Sequence, residues 1–269
     1  MSDLTAIVLL ALLGSVVALL GGVIFLAVKS WSMVLAKYSV PFAAGVLLTV
    51  AMVGLLPEAV HEAGEGVFLV ALISFLAAYF FEQVFFSLHH HDHGNGKQNF
   101  RGSVGLVIVG DTIHNLIDGV AIAASYLVNP GLGLVTALST FLHEVPHEMG
   151  DFGILLKAGW KRRNVFIVNI ISALFTVVGA LGVYFWVTDE GIVGNLLAVA
   201  AGLFLYLGAS DFLPEADRDL SKGKALTALL TGVGLMLVTL LIVPHSQVDE
   251  AGHNEEALEE YGEIHVDGS

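Results

Sequence analysis

The sequence predicts an all-α integral membrane protein, a bundle of eight transmembrane helices, and three observations carry that prediction. Of 269 residues, 56% are hydrophobic and only 13% charged, and the mean hydropathy of +0.81 is far above that of a water-soluble domain of this size. Eight apolar stretches, near 4–28, 39–61, 66–89, 102–128, 132–157, 164–187, 192–215 and 225–244, are each about as long as a hydrocarbon core roughly 30 Å thick requires. The basic residues also alternate with these stretches. Lys29 and Lys37 follow span one, Lys97 and Arg101 span three, Lys157, Lys161, Arg162 and Arg163 span five, and Arg218, Lys222 and Lys224 span seven, which accounts for all 11. The opposite connections hold only acids, among them Glu62, Glu65, Asp189 and Glu190. Short cytoplasmic loops retain Lys and Arg, so this pattern puts both termini on the extracytoplasmic side.

Span one opens at Met1-Ser2-Asp3 without a basic leader and runs apolar from Leu4 to Val28. That core is too long for a cleaved signal, so it reads as a membrane helix. Cysteine is absent, which excludes a disulfide framework and any thiolate metal site, and leaves nitrogen and oxygen as the available ligands. The transport domain is expected over 1–245, with a cytoplasmic His-rich loop at 89–101. The remaining 246–269 form an acidic tail, expected to be disordered outside the membrane. Its carboxylates contribute to the net charge of −14 and would raise the local cation concentration if it lay near a pore mouth.

Spans two and seven share a motif. Gly45 to Ala59 (GVLLTVAMVGLLPEA) aligns without gaps on Gly202 to Ala216 (GLFLYLGASDFLPEA). The two spans cross in opposite directions, as the halves of an inverted-topology repeat would.

The chemistry concentrates in spans four and five. Span four contains Asp111-Thr-Ile-His114-Asn115-Leu-Ile-Asp118-Gly119, and span five contains His143-Glu144-Val-Pro146-His147-Glu148-Met-Gly150-Asp151. An acid at the centre of a span costs about 2.5–3.5 kcal/mol on insertion scales, and a bound divalent cation would offset much of that. At about 100° per residue, His114 and Asp118 share one helical stripe, and His143 and His147 share another. Two imidazoles facing an imidazole and a carboxylate match the N/O set that zinc accepts. Asn115 and Glu144 lie one residue around each helix and are candidates for a second site. Asp111, Glu148 and Asp151 extend the polar stripe as outer contacts or pathway. Pro146 removes a helical amide and predicts a bend at the ligands. Gly119 and Gly150 predict close helix approach.

His143 to His147 also read H-E-x-x-H, a pattern that on a helix can signal zinc-dependent hydrolysis with the Glu as base. Asp118 would be its third ligand. Proline between the two His and the additional His114 weigh against that reading, so no catalytic residue and no catalytic cofactor is assigned.

HNLIDGVAIA followed by HEVPHEMGDF resembles the paired signatures of the Zrt/Irt-like protein (ZIP) family of divalent metal transporters, the second in the form HExPHExGD. The resemblance, with the eight-span layout, covers essentially the whole chain. It implies transport of zinc toward the cytoplasm through a primary site of His114, Asp118, His143 and His147 and a secondary site of Asn115 and Glu144. Some members complete a two-metal centre with a Glu on span six, where this sequence has Thr176. Asp211 resembles a cytoplasmic exit ligand, with Glu82 as its partner, although both also fit as helix-end acids. The loop histidines His89, His90, His91 and His93 are placed to collect departing metal, or serve as a plain polar linker. Glu58, His61 and Glu62 would form the outer counterpart. Expected partners are divalent metal ions and the lipid bilayer of a plasma or inner membrane, not nucleic acid, and a homodimer is an allowed assembly. The chemistry also admits Fe2+, Mn2+, Co2+ and Cd2+ as cargo. A channel or receptor that binds metal without a transport cycle is the remaining class.

Overall fold

The computed structural model describes residues 2–20, 23, 29–90 and 96–243, and every described element is a helix. In chain order these are α1 (Asp3–Gly14), α2 (Lys29–Thr49), a π-helical segment (Val50–Leu55), α3 (Leu56–Ala63), α4 (Val67–His90), α5 (Gly96–Val128), α6 (Pro130–Lys157), α7 (Arg162–Trp186), α8 (Glu190–Tyr206), a second π-helical segment (Leu207–Phe212), α9 (Leu213–Asp219) and α10 (Lys222–Ile242). The tail at 246–269 and the loop at 91–95 lie outside the described residues, as do the side chains of His89 and His90.

Six helical stretches among the described residues are long and apolar enough to cross a bilayer: Lys37–Ala63, Val67–Val84, Val107–Val128, Arg162–Trp186, Glu190–Ala216 and Lys222–Ile242. α6, with 28 residues, has the length but carries two His and three acids, His143, Glu144, His147, Glu148 and Asp151. α1 is apolar and shorter, capped by Ser2 and followed by a turn at 15–18. α2 begins well before the apolar stretch predicted at 39–61. Residues 29–38 carry polar groups that depress hydropathy without disfavouring helix, so hydropathy alone places that boundary too late.

The two segments of similar sequence adopt the same local structure. Each widens into a π-helix at the same register, Val50–Leu55 in one and Leu207–Phe212 in the other. Each closes with a bond across five residues, from the Leu56 amide to Ala51 O and from the Leu213 amide to Gly208 O. Pro57 and Pro214 stand at the start of the helices that follow. A proline ring collides with the carbonyl four residues back, and widening the preceding turn relieves that collision.

Helices meet through glycines. A methyl on Gly119 of α5 would sit 1.9 Å from Thr176 O of α7, and one on Gly179 of α7 would sit 2.0 Å from Leu116 O of α5. The α2·α10 contact is made the same way, with Gly45 against Leu229 O and Gly232 against Phe42 O, each at 2.2 Å. Gly202 of α8 packs on Ala71 O of α4, also at 2.2 Å. Between hydrocarbon-facing helices, such backbone contact supplies the attraction that water would otherwise supply by exclusion. α5 also packs on α6, and α6 is flanked by α1 and α2, so the polar helix sits inside the bundle. Outward faces are apolar: Phe68, Leu69, Leu72 and Phe80 on α4, and Leu226, Leu230 and Leu241 on α10, are all exposed.

Candidate metal centre

α5 and α6 bring their polar stripes together in the bundle interior. Asp118 and His143 are fully buried and Glu144 is almost so, while the side chains of His114 and His147 are 19% and 23% exposed. His114 Nε2 lies 3.7 Å from Asp118 Oδ2, 3.4 Å from Glu144 Oε1 and 3.3 Å from His143 Nε2. His143 Nε2 lies 3.2 Å from the same Asp118 oxygen. A tetrahedron around zinc with bonds of about 2.0–2.1 Å has edges of about 3.3 Å, close to these four separations, and all four atoms lie within 4.8 Å of one another.

The orientation of the His143 ring follows from its neighbours. Its Nδ1 is 2.9 Å from Ser139 O on the preceding turn. A carbonyl only accepts, so Nδ1 carries the hydrogen of that bond, and Nε2 is turned toward the cluster. The ring is also held edge-on to Phe204 of α8, with centroids 5.4 Å apart. Neither oxygen of Asp118 and neither oxygen of Glu144 receives a directed hydrogen bond. Among the described residues, no Lys or Arg pairs with any carboxylate of this region. Buried carboxylates left in that condition are costly unless a cation meets them.

The structure divides the expected ligands differently from the helical stripes. Glu144 joins His114, Asp118 and His143 in one group, and His147 joins Asp111 and Asp151 in another, the ligand atoms of each group lying within 4.8 Å of one another. His147 Nδ1 is 3.7 Å from Asp111 Oδ1 and 3.9 Å from Glu144 Oε2, and its ring is 4.8 Å from that of His114. Glu144 therefore stands between the groups, one oxygen toward each. Asn115 borders them: its amide donates to Asp111 Oδ1 at 3.0 Å and its oxygen accepts from Thr176 Oγ1 at 2.9 Å. Glu148 is buried, with Oε2 unpartnered, and belongs to neither group. α6 remains helical through Pro146.

Other expected positions lie apart from this centre. Tyr206 donates a hydrogen bond to Glu82 Oε2 across α8 and α4. Asp211 is on the second π-segment, within electrostatic reach of Glu82, Glu215 and His147. Glu58 is buried at the start of α3, where His61 and Glu62 contact each other at 3.3 Å. Sequence reasoning missed Ser139, Phe204 and the Thr176–Asn115 bond. A backbone carbonyl and an aromatic edge leave no signature in a sequence, and Thr176 stood out only as a substitution.

Residues 90–240 match the model of the family described as ZIP Zinc transporter. The chain is 36% identical over 140 residues to "Zinc transporter foi" of Drosophila melanogaster, covering 51% of this chain and 20% of that protein. It is 36% identical over 159 residues to "Zinc transporter ZIP10" of Danio rerio (54% of this chain, 18% of that protein) and 38% identical over 131 residues to "Zinc transporter ZIP4" of Homo sapiens (49% and 20%). The chain thus spans about a fifth of the length of these curated relatives. With a match over more than half its length and six helices able to cross a bilayer, the chain is a multi-pass membrane protein of the ZIP zinc transporter family.

Proposed function

We propose that this chain carries divalent metal ions, zinc foremost, across a cell membrane toward the cytoplasm, through a centre built by His114, Asp118, His143 and Glu144. The observation that supports it best is the set of four converging ligand atoms, 3.2–3.7 Å apart where they face each other, with carboxylates that nothing else satisfies. The relatives' names, zinc transporters all three, point the same way. Neutral imidazole and carboxylate replace the ion's water as it arrives, and a rearrangement that spreads the ligands releases it. His147, at the border of this centre, takes the ion next.

The proposed architecture has eight spans with both termini outside, related in part by an inverted repeat. Its support is the matched π-segments and a matched exchange of contacts. Gly45 approaches α10 and its counterpart Gly202 approaches α4, as a pseudo-two-fold swapping span two with seven and span eight with three would require. Rocking about such an axis would open the centre alternately to each side.

Hydrolysis fits less well. In an H-E-x-x-H hydrolase both His hold one metal and the Glu stands off as base. Here His143 and His147 fall into different groups, and Glu144 is itself among the ligands. The test is metal uptake into proteoliposomes holding purified wild type or the His143→Ala, His147→Ala double variant, with zinc outside and a metal-sensitive dye inside. The proposal expects saturable uptake that the double variant loses. A folded wild type that binds zinc and passes none would refute it.

A further inference from the structure

We propose that the groove between α2, α6 and α10 is a binding site for one anionic phospholipid, with the headgroup at Lys224 and an acyl chain laid against the back of the ligand-bearing run of α6. The proposal rests on the orientation inferred above only for the leaflet concerned, the cytoplasmic one, and does not depend on the carrier reading.

The shape of the groove comes first. It encloses a volume of about 610 Å³, within the range of about 300–1,000 Å³ that small-molecule sites occupy. Phe42 of α2 and Phe141 and Val145 of α6 make its walls apolar. Two of the three helices around it are among those able to cross a bilayer, and α6 lies between them and the metal centre. An occupant therefore enters from the bilayer.

Polarity is confined to one end. Lys224 and Tyr38 are the lining residues nearest the starts of their apolar stretches, Lys222–Ile242 and Lys37–Ala63, where membrane meets water and where Tyr and Lys side chains are at home. Thr231, on the same wall as Lys224, stands seven residues further along α10, about 10 Å of helix rise. Phe141 and Val145 lie midway along α6. The groove thus runs from the interface to the middle of the membrane, as one acyl chain with its headgroup does. Thr227 and Thr231 donate to Gly223 O and Thr227 O of their own helix, each at 2.8 Å, so their hydroxyls are already satisfied. Ser39 is different: it is 8% exposed, lies in the groove wall beside Tyr38, and its Oγ has no hydrogen-bond partner. The ester oxygens of a glycerolipid are acceptors of the kind it lacks.

Charge selects the headgroup. No Asp or Glu is among the lining residues, and among the described residues Lys224 pairs with no carboxylate. Lys37 and Lys222, beside the same mouth in sequence, are exposed as well. Uncompensated cations at this depth favour a headgroup of net negative charge over a zwitterionic one. Val145 places the chain: it is flanked by Glu144 and Pro146 and lies about 200° around the helix from both His143 and His147. The lipid therefore backs the residues that face the metal centre from the other side.

Native mass spectrometry of the purified full chain tests this, with phosphatidylglycerol and phosphatidylcholine of identical acyl chains added in equal amounts. Wild type should retain one phosphatidylglycerol in preference to phosphatidylcholine. Lys224→Gln, at an exposed position, should weaken phosphatidylglycerol retention about five-fold, the equivalent of about 1 kcal/mol for one basic residue, and leave phosphatidylcholine unchanged. Thr227→Trp, which fills the groove from another exposed position, should lower retention of both lipids. Arg162→Gln, at the exposed start of α7, should behave as wild type. Equal retention of the two lipids by wild type would overturn the proposal. So would equal losses in Lys224→Gln and Arg162→Gln, because the attraction would then be diffuse surface charge. Selective retention by a chain that passes no zinc in proteoliposomes would sink the carrier reading and leave the lipid site standing.

Discussion

Replacing Gly119 by Ala tests whether the α5·α7 contact sets the geometry of the metal centre. The added methyl would lie 1.9 Å from the carbonyl oxygen of Thr176 and 2.7 Å from its carbon, whereas ordinary contact begins at 3.4 Å. The obstacle is backbone, so it cannot rotate aside, and the helices must separate by about 1.5 Å. The Thr176 Oγ1–Asn115 Oδ1 bond, now 2.9 Å, would then exceed about 3.5 Å and be lost. Asn115 is the residue that fixes Asp111 from the adjacent turn, and Asp118, a proposed ligand, immediately precedes the substitution. Overpacking of this kind costs about 1–3 kcal/mol of stability, and loss of a contact that orients ligands costs about 10–100-fold in metal affinity. Titration calorimetry of the purified protein with zinc, alongside thermal melting, reads both. Gly234→Ala on α10 is the control, because nothing lies within 4 Å of its added methyl. If Gly119→Ala melted and bound zinc like Gly234→Ala, the claim that this contact positions the centre would be wrong.

Three further outcomes are expected. Asp118→Asn keeps the shape and removes a buried charge that has no directed hydrogen bond, so the metal-free protein should melt no lower than wild type. The stabilisation by zinc, about 2.7 kcal/mol at 100 times the dissociation constant for one site, should shrink by more than half; equal zinc-dependent shifts in melting would refute a ligand role. Acidification should weaken uptake, because a proton occupies the same imidazole lone pair as the metal, so flux at fixed free zinc should fall between pH 7.5 and 5.5, and a flat profile would argue against His ligands. Asn129→Ala removes the cap of α6, whose Oδ1 accepts from the Gly131 and Leu132 amides at 2.7 and 3.3 Å. That should cost about 1 kcal/mol in denaturation measurements, while zinc affinity stays within a few-fold of wild type because the ligands lie more than three turns away.

Much of this protein was legible in the sequence because the bilayer imposes simple rules. Apolar length fixed most helices to within a few residues, and absence of cysteine restricted the ligands to N and O. The two polar runs pointed to spans four and five as the seat of the chemistry, since carboxylates in apolar helices demand a partner. Even the widened turns had a trace, the repeated Leu-Pro-Glu-Ala, although their π-helical form did not follow from it. What the sequence left open was the division of the ligands. Helical periodicity groups His143 with His147 because they are four apart on one stripe, and it treats Glu144 as belonging to another face. Which of them stands close enough to His114 to share an ion with it, as proposed, depends on how far α5 is rotated and shifted against α6. That offset is decided by contacts remote from the ligands: Gly119 on the Thr176 carbonyl, Gly179 on that of Leu116, and Phe204 against the His143 ring. A helix repeats every 3.6 residues whatever its neighbours are, so sequence alone determines which residues can share a face. Only the packing of backbone against backbone determines which faces meet, and at what height.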